Sequence, residues 1–183
     1  MFYSGAFHRG KEIGKGSWVR FGFVLLCMAM FLVGCGAGRM MVLEPAKGKA
    51  MKITSVSIKE EPPTVKIKKE DREKFKLMLV QALKSVCGIE STEENPDLVV
   101  EYKIIQYNPG SRTARWFWGG VGNAGEGSVT VDAMFLTRNG ERVGHIQAVG
   151  KIQSGFFGGS FSHALKKAAE QIALYVKQYL QAE

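Results

Sequence analysis

Three glycines in the segment WFWGGVGNAGEG have the spacing of a nucleotide-binding loop. Gly120, Gly122 and Gly125 spell G-x-G-x-x-G. In dinucleotide-binding proteins such glycines join a strand to a helix, so that the amino end of the helix and free backbone amides meet the pyrophosphate. Here the residues that follow, SVTVDAMFLT, alternate between apolar and polar like a strand. We therefore expect a turning loop at this position and no cofactor.

A second glycine-rich stretch, SGFFGGSFSHA, occupies residues 154–164 and precedes a predicted helix. The backbone amides of Gly158, Gly159 and Ser160 could hold an anion at the amino end of that helix. The stretch lacks the lysine of a phosphate-binding loop. Its composition favours a strand-to-helix turn in which the phenylalanines cover the end of the core.

His145 and Asp132 are candidates for acid–base chemistry, because neighbouring strands would place them diagonally on one polar face. Such a pair can orient an imidazole as a general base. The pattern supplies no nucleophile, since Ser128 lies at the far end of its strand and Cys87 on another element. We interpret the pair as a cross-strand polar contact and expect no enzyme; a hydrolase centred on it is the less favoured alternative. His163 has no second ligand one helical turn away, so we expect no metal site.

The segment RTARWFWGG, residues 112–120, has the composition of a recognition surface. Arg112, Arg115, Trp116 and Trp118 combine large contact area with directed hydrogen bonds. Alternate aromatics of the same segment could instead cap the open end of a sheet. The sequence leaves both interpretations open.

The amino terminus resembles a secretory signal. Residues 1–20 are basic, and the uncharged run of residues 21–33 would rise only about 20 Å as a helix, against roughly 30 Å of bilayer hydrocarbon. Leu32, Val33, Gly34 and Cys35 then match the lipobox of bacterial lipoproteins.

This resemblance implies cleavage between Gly34 and Cys35, a diacylglycerol thioether on the Cys35 sulfur and an acyl group on its amino nitrogen. Cys27 is a poorer candidate because leucines precede it. The alternative is an uncleaved membrane helix that ends at a buried cysteine. After cleavage the chain keeps Cys87 as its one other cysteine, so we expect no disulfide and no cysteine metal cluster.

Composition and charge indicate one globular domain without a nucleic-acid partner. The chain has 183 residues, of which 45% are hydrophobic and 23% charged. Its net charge of +8 falls on cleavage, because residues 1–34 hold more basic than acidic residues. The remaining surplus lies in mixed runs such as KIKKEDREKFK, which are not typical of nucleic-acid binding. Weak attraction to anionic lipid or glycan stays open.

The remaining chain alternates between strand and helix patterns. A hairpin turn at Asn139-Gly140 pairs Arg138 with Glu141 and sets the register of two strands. The predicted order is a tether at 35–50, a strand at 51–58, a helix that ends at Gly88, strands at 98–107, 128–137 and 142–152, and a helix at 162–180 that is capped by Ser160 or Ser162. The apolar stripe of the first helix is Phe75, Met78, Leu79, Ala82, Leu83 and Val86. The apolar stripe of the second helix is Leu165, Ala168, Ile172, Val176 and Tyr179.

These elements predict an α/β (α+β) fold. One apolar face per element favours a two-layer sandwich, in which a four-stranded mixed sheet carries two helices on one face. We expect a removed signal peptide at 1–34, a lipidated cysteine and tether at 35–50, and a single domain at 51–183.

Residues 112–180, with R-x-x-R-W, GSVTVDAMFLTRNGERV and SGFFGGSFSHALKKAAEQIA, resemble bacterial lipoproteins with a domain of unknown function 4410. That family has no assigned catalytic residues, so the resemblance transfers none.

We expect a membrane-anchored envelope lipoprotein whose domain binds or positions another envelope component without catalysis. The alternative function is a module for a small ligand or cell-wall glycan. The expected partners are membrane lipid, through acylated Cys35, and an envelope protein. Gly36 follows Cys35, where inner-membrane lipoproteins commonly have aspartate. In a Gram-negative cell we therefore expect the outer membrane, with the domain facing the periplasm.

Overall fold

The computed structural model describes residues 37–48, 50–110, 127–152 and 160–182. All of them belong to the unit that spans Gly34–Glu183. In these ranges no helix is long and apolar enough to cross a membrane.

The described residues form strands and helices in the predicted order, with two additional strands. The elements are β1 (Ala37–Glu44), β2 (Ser55–Glu60), α1 (Lys69–Ala82, extended by a π-helical turn Leu83–Cys87), β3 (Glu90–Ser91), β4 (Leu98–Asn108), β5 (Ser128–Thr137), β6 (Arg142–Lys151) and α2 (Phe161–Tyr175, extended by a π-helical turn Val176–Leu180).

The described strands form a mixed sheet of six, in the order β1-β6-β5-β4-β2-β3. β2 runs parallel to β3 and β4, and the other neighbours are antiparallel. The α/β class is as predicted, but the expected number of four strands is wrong. β3 was not predicted because its two residues are too few to show a periodicity in the sequence.

β1 is the larger difference, because it lies inside the predicted tether. Its sequence AGRMMVLE has weak alternation and contains glycine, which has a low preference for strands. It is a strand because its backbone pairs with β6, where Ala37 lies opposite Lys151 and Met40 opposite Ala148. Backbone pairing with a strand from the far end of the chain leaves no signal in the local sequence.

Both helices pack on one face of the sheet, as predicted. The ring of Phe75 in α1 contacts Tyr102 in β4 edge-on, with ring centres 5.1 Å apart. Phe135 in β5 stacks on Tyr175 in α2 at 4.9 Å. The registers of β4 and β5 place Tyr102 and Phe135 on the same sheet face. The core therefore lies between this face and the helices.

Most of the predicted helix stripes are buried. Phe75, Leu79 and Leu83 of the first helical segment have no exposed surface, and the left-handed backbone of Gly88 (φ 70°) ends this segment as expected. In the second helical segment, however, Tyr179 is 50% exposed and Tyr175 is buried in its place. Ser160 occupies the N-cap position but makes no capping hydrogen bond through its side chain.

The β5–β6 hairpin has the predicted register along its length. Ala133 lies opposite Ile146 and Asp132 opposite Gln147. The turn itself differs: the amide of Thr137 donates to the carbonyl of Glu141, so three residues form the loop rather than two. Gly140 adopts the left-handed conformation (φ 81°) that ends such loops, and the register shift next to Leu136 restores the predicted pairing. The predicted pairing of Arg138 with Glu141 is therefore wrong.

Candidate functional site

The second face of the sheet carries the candidate acid–base pair. Side chains alternate along a strand, so residues of β5 and β6 that do not face the helices project here. Asp132 lies between buried Val131 and Ala133, and His145 between buried Gly144 and Ile146. Within the described ranges no helix covers this face, and the side chains of Asp132 and His145 are 20% and 18% exposed.

Asp132, His145 and Gln147 form one hydrogen-bonded cluster, called here the Asp132 cluster. The Nε2 atom of His145 lies 2.8 Å from Oδ2 of Asp132. The amide nitrogen of Gln147 donates to the other carboxylate oxygen, Oδ1, at 3.2 Å. The diagonal pairing expected from the sequence is therefore present. The role of Gln147 was missed, although its position two residues after His145 places it on the same face.

The nucleophile candidates considered from the sequence lie away from the cluster. Ser128 is at the end of β5, opposite Lys151, and is four residues from Asp132 along the strand. Cys87 lies in the helical layer, where its thiol donates to the carbonyl of Ala173 at 3.2 Å. Among the described residues, no group of three or more His, Cys, Asp or Glu side chains could hold a metal ion.

Polar contacts continue across this face beyond the cluster. The hydroxyl of Thr130 donates to the side-chain carbonyl of Gln106 at 3.0 Å. Lys59 and Glu101 form an ion pair at 3.8 Å. These contacts satisfy polar groups on a face that the described helices leave open, and they extend from β6 to β2.

A second group with a perturbed pKa lies elsewhere, at Asp97, which the sequence did not single out. Its Oδ2 atom accepts hydrogen bonds from the amide and hydroxyl of Thr54 at 3.0 and 2.8 Å, and from the amide and hydroxyl of Ser55 at 3.2 and 3.1 Å. Arg138 binds Oδ1 at 2.9 Å. The bonds from Thr54, then those from Ser55, lower the pKa of Asp97 to about 2. The carboxylate joins the start of β2 to the start of β4 and is a structural group.

Two concave surfaces are open to solvent on the described part of the chain. A groove of about 600 Å³ between the two helices includes Met78, Lys84, Lys166 and Glu170 in its lining. A smaller hollow of about 420 Å³ is lined in part by Lys52, Gly88 and Gln181. No motif in the sequence pointed to either surface.

Several predicted site residues lie outside the described ranges. These are Gly34 and Cys35 of the predicted cleavage and lipidation site, the recognition candidates Arg112, Arg115, Trp116 and Trp118, the glycine motif Gly120, Gly122 and Gly125, and the glycines 158 and 159 of the second glycine-rich stretch. Their roles stay predictions.

Comparison with known proteins identifies a family and a fold. The family model described as "Domain of unknown function (DUF4410)" matches residues 43–155. A search of curated protein sequences found no match.

Among solved structures, a point variant of the PelC dodecamer from Paraburkholderia phytofirmans is similar, with a TM-score of 0.51 and 13% identity over 78% of this chain and 98% of that chain. A second PelC dodecamer structure has a TM-score of 0.49 and 15% identity over 81% and 99% of the two chains. A PDZ domain protein from Parabacteroides distasonis has a TM-score of 0.38 and 8% identity over 85% and 40%. At such identities the similarity to the PelC variant concerns the fold alone.

Proposed function

Since this chain belongs to the family of the domain of unknown function DUF4410, which assigns no activity, we propose its function from its own residues: a membrane-anchored envelope lipoprotein whose domain is a non-enzymatic interaction module. The proposed anchor is acylated Cys35. The proposed location in a Gram-negative cell is the outer membrane, with the domain facing the periplasm.

The observation that carries the proposal is the lipobox LVGC immediately before the first strand. Cys35 precedes Ala37, the first residue of β1, by only two positions. A signal peptide that ends where a folded domain begins is the arrangement expected for a processed lipoprotein. Two or three acyl chains on one residue provide stable attachment, because each buried methylene contributes about 0.8 kcal/mol.

A non-enzymatic role is supported by the hydrogen-bond partners of the Asp132 carboxylate. Both carboxylate oxygens of Asp132 already have partners within the sheet, His145 and Gln147. A general base needs a reacting group within hydrogen-bond reach. The hydroxyl of Thr130, a buried residue two positions before Asp132 in β5, is bound to Gln106 instead.

An interaction role is supported by the outer edge of β1. Among the described strands, β1 pairs only with β6, and no other described strand pairs with its outer edge. The side chains of Met41, Val42 and Leu43 are 55%, 42% and 43% exposed. An exposed strand edge with apolar side chains favours pairing with another chain. PelC, a protein of similar fold, is described as a dodecamer, so a second copy and a different envelope protein are both partners to test for.

The alternative function, binding of a small ligand or cell-wall glycan, has one described surface in its favour. The groove between the helices has a volume of about 600 Å³, in the range of small-molecule sites. A thermal-shift screen of the protein with cell-wall fragments tests this alternative. A saturable rise in melting temperature that is lost in Lys166→Ala would favour it over protein recognition.

Lipidation is tested by replacing Cys35 in the full chain and following the protein in cells. We expect Cys35→Ser to abolish acylation and processing, and to release the protein from the site where the wild-type protein is held. Cys27→Ser is the matched control, because it removes the other cysteine of the signal segment and should leave both unchanged. Mass analysis of the amino-terminal peptide reads the result directly. Retention of residues 1–34 in the mature wild-type protein would overturn the proposal.

The interaction role is tested by crosslinking in intact cells followed by mass spectrometry. A photoreactive residue at Met41 or Leu43, on the β1 edge, should give a defined crosslinked partner, either a second copy or another envelope protein. A photoreactive residue at the exposed Leu77 of α1 is the control for random contacts. Equal, unspecific products from all positions would contradict the assigned edge. Loss of a measured hydrolase activity in His145→Ala would instead support an enzyme.

A further inference from the structure

β1 begins so close to the proposed lipid anchor that it restricts how the domain can lie on a membrane. An extended chain spans at most about 3.6 Å per residue, so the backbone of Ala37 lies within about 7 Å of that of Cys35. Residues 37–44 are part of the sheet and leave no flexible tether there. The end of the sheet at which β1 begins must therefore stay close to the lipid.

The topology brings many element ends to this same end of the sheet, called here the anchor end. Lys151, the last residue of β6, lies opposite both Ala37 of β1 and Ser128 of β5. Ser128 in turn lies opposite Asn108, the last residue of β4. The amino ends of both helices are here as well: Tyr107 next to this end bonds Asp71 in the first turn of α1 and contacts the ring of Phe161.

The anchor end has an excess of unpaired positive charge. Arg39, Lys66, Lys68 and Lys151 are exposed, and none of them makes an ion pair with another residue that the structure describes. Nearby acids are mostly neutralised: Asp71 pairs with Lys74, Glu73 with Lys69 and Glu60 with Arg72. Glu70 is the unpaired acid of this region of the described chain.

The opposite end of the domain, where the β5–β6 hairpin turns, differs in charge. Its arginines are paired, Arg138 with Asp97 and Arg142 with Glu44, and Lys47 shares the carboxylate of Glu44. Glu94 and Glu141 are exposed and make no ion pair within the described ranges. The unpaired cations there are Lys52 and Lys177. Among the described residues, unpaired acids thus balance the unpaired cations at the hairpin end, whereas unpaired cations outnumber unpaired acids at the anchor end.

We propose that the anchor end is a membrane-contacting surface, which binds the anionic headgroups of the bilayer that holds Cys35. This inference rests on the proposed lipidation and adds an orientation to it. The anchor end of the strands faces the membrane, and the β5–β6 hairpin at their other end points away from it. Lysine and arginine near an anionic surface each contribute about 1 kcal/mol, so four such side chains give a strong bias. The β1 edge, with Met41 and Leu43 farther along the strand, is then free to meet a partner.

Orientation is tested with two matched fluorescent labels on the mature lipidated protein in vesicles that contain phosphatidylglycerol. Asn108→Cys labels the anchor end and Asn139→Cys labels the hairpin. The ten residues of β5 separate them by about 30 Å. We expect a nitroxide on the lipid headgroup to quench the label at 108 and to leave the label at 139 bright. Equal quenching of both labels would overturn the orientation.

The role of charge is tested by two matched double variants of the labelled protein. Lys68→Glu with Lys151→Glu changes the anchor end, and Lys52→Glu with Lys177→Glu changes the opposite end. We expect only the first pair to reduce quenching at 108. The ratio of molecules with the anchor end on the membrane to molecules without this contact should fall by about fivefold for each cation removed. Far-ultraviolet circular dichroism establishes that both variants are folded. Equal effects of the two pairs would overturn the assignment of the headgroup surface to these residues.

The two proposals fail in different ways. Absence of lipid on Cys35, read from the mass of the amino-terminal peptide, would overturn the lipoprotein function and with it the orientation. Lipid on Cys35 together with equal quenching of the two labels would overturn the orientation alone and leave the lipoprotein function standing.

Discussion

Gly150 of β6 lies directly beneath the backbone of Ala164 in α2. A Cβ atom at Gly150 would overlap the carbonyl group of Ala164 and lie 2.9 Å from the amide nitrogen of Ala168. These contacts are with backbone, which a rotamer change cannot relieve. The close approach of α2 to the sheet therefore requires glycine at this position.

We expect Gly150→Ala to destabilise the domain by about 3 kcal/mol, since the helix must move away from the sheet to admit a methyl group. Gly38→Ala is the matched control, because Gly38 is the β1 partner of Gly150. A Cβ atom at Gly38 would meet only the end of the Gln171 side chain, which can rotate away. Urea denaturation measures both. Equal losses in the two variants would contradict the assigned contact.

Tyr107 connects the end of β4 to both helices. Its hydroxyl donates to Asp71 at 2.7 Å, and burial, then this carboxylate, raises its pKa to about 12. Tyr107→Phe keeps the ring contact with Phe161 and should cost about 1–2 kcal/mol, because the hydrogen bond is to a charged group. Tyr179→Phe, at a half-exposed ring, is the control and should change the unfolding free energy little.

The low pKa of Asp97 predicts a loss of stability in acid. Its pKa in the folded state is about 2, below the ordinary value of 3.8. The stabilisation is therefore complete above about pH 4 and is lost as the pH falls towards 2. The carboxylate is 26% exposed, so water weakens the effect and we expect about 1 kcal/mol.

The measurement is the unfolding free energy of wild type and Asp97→Asn between pH 5 and 2. The difference between the two proteins should shrink as the pH falls through this range, because the wild-type carboxylate becomes neutral too. Glu94→Gln, which changes an exposed carboxylate three residues before Asp97, is the control, and its unfolding free energy should follow that of the wild type. A difference that does not depend on pH would mean that charge plays no part at Asp97.

The Asp132 cluster should act as a unit in stability measurements. Asp132→Ala and His145→Ala each remove one partner of a half-buried 2.8 Å contact and should each cost about 1 kcal/mol. In the double variant we expect a coupling energy of about 0.5–1 kcal/mol, because the second substitution has no partner left to lose. Strictly additive losses would mean that the two side chains do not stabilise each other.

Cys87 should be unreactive in the folded protein. Burial raises the pKa of its thiol to about 11, so little thiolate exists at pH 8. We expect no modification by a thiol reagent within the time that fully labels the exposed Asn139→Cys variant, and complete modification in urea. Rapid labelling of native Cys87 would show that the turn Leu83–Cys87 opens.

Local patterns in the sequence predicted the parts of the fold that depend on local interactions. The first helical segment ends at Gly88, because glycine adopts the left-handed conformation there without strain. The turn at Asn139-Gly140 set the register of β5 and β6, and that register brought Asp132 next to His145. The partition of β4, β5 and β6 into a helix-facing and an opposite side followed from alternation alone.

Tertiary structure decided the features that depend on partners far along the chain. β1 is a strand because it pairs with β6, about a hundred residues away, and its own residues carry little strand preference. Asp97 is strongly perturbed because Thr54 and Ser55 of another strand direct donors at it. A short β3, the three-residue turn and the burial of Tyr175 in place of Tyr179 likewise depend on packing.

The sequence by itself thus determined the α/β class, the helix-bearing face, the hairpin register and the prediction of an anchor at Cys35, since each depends on residues near one another in the chain. Only the folded chain placed a strand two residues after that cysteine and gathered Arg39, Lys66, Lys68 and Lys151 at one end of the sheet. Sheet pairing is a long-range interaction, and its free energy is shared between segments that a local pattern cannot connect.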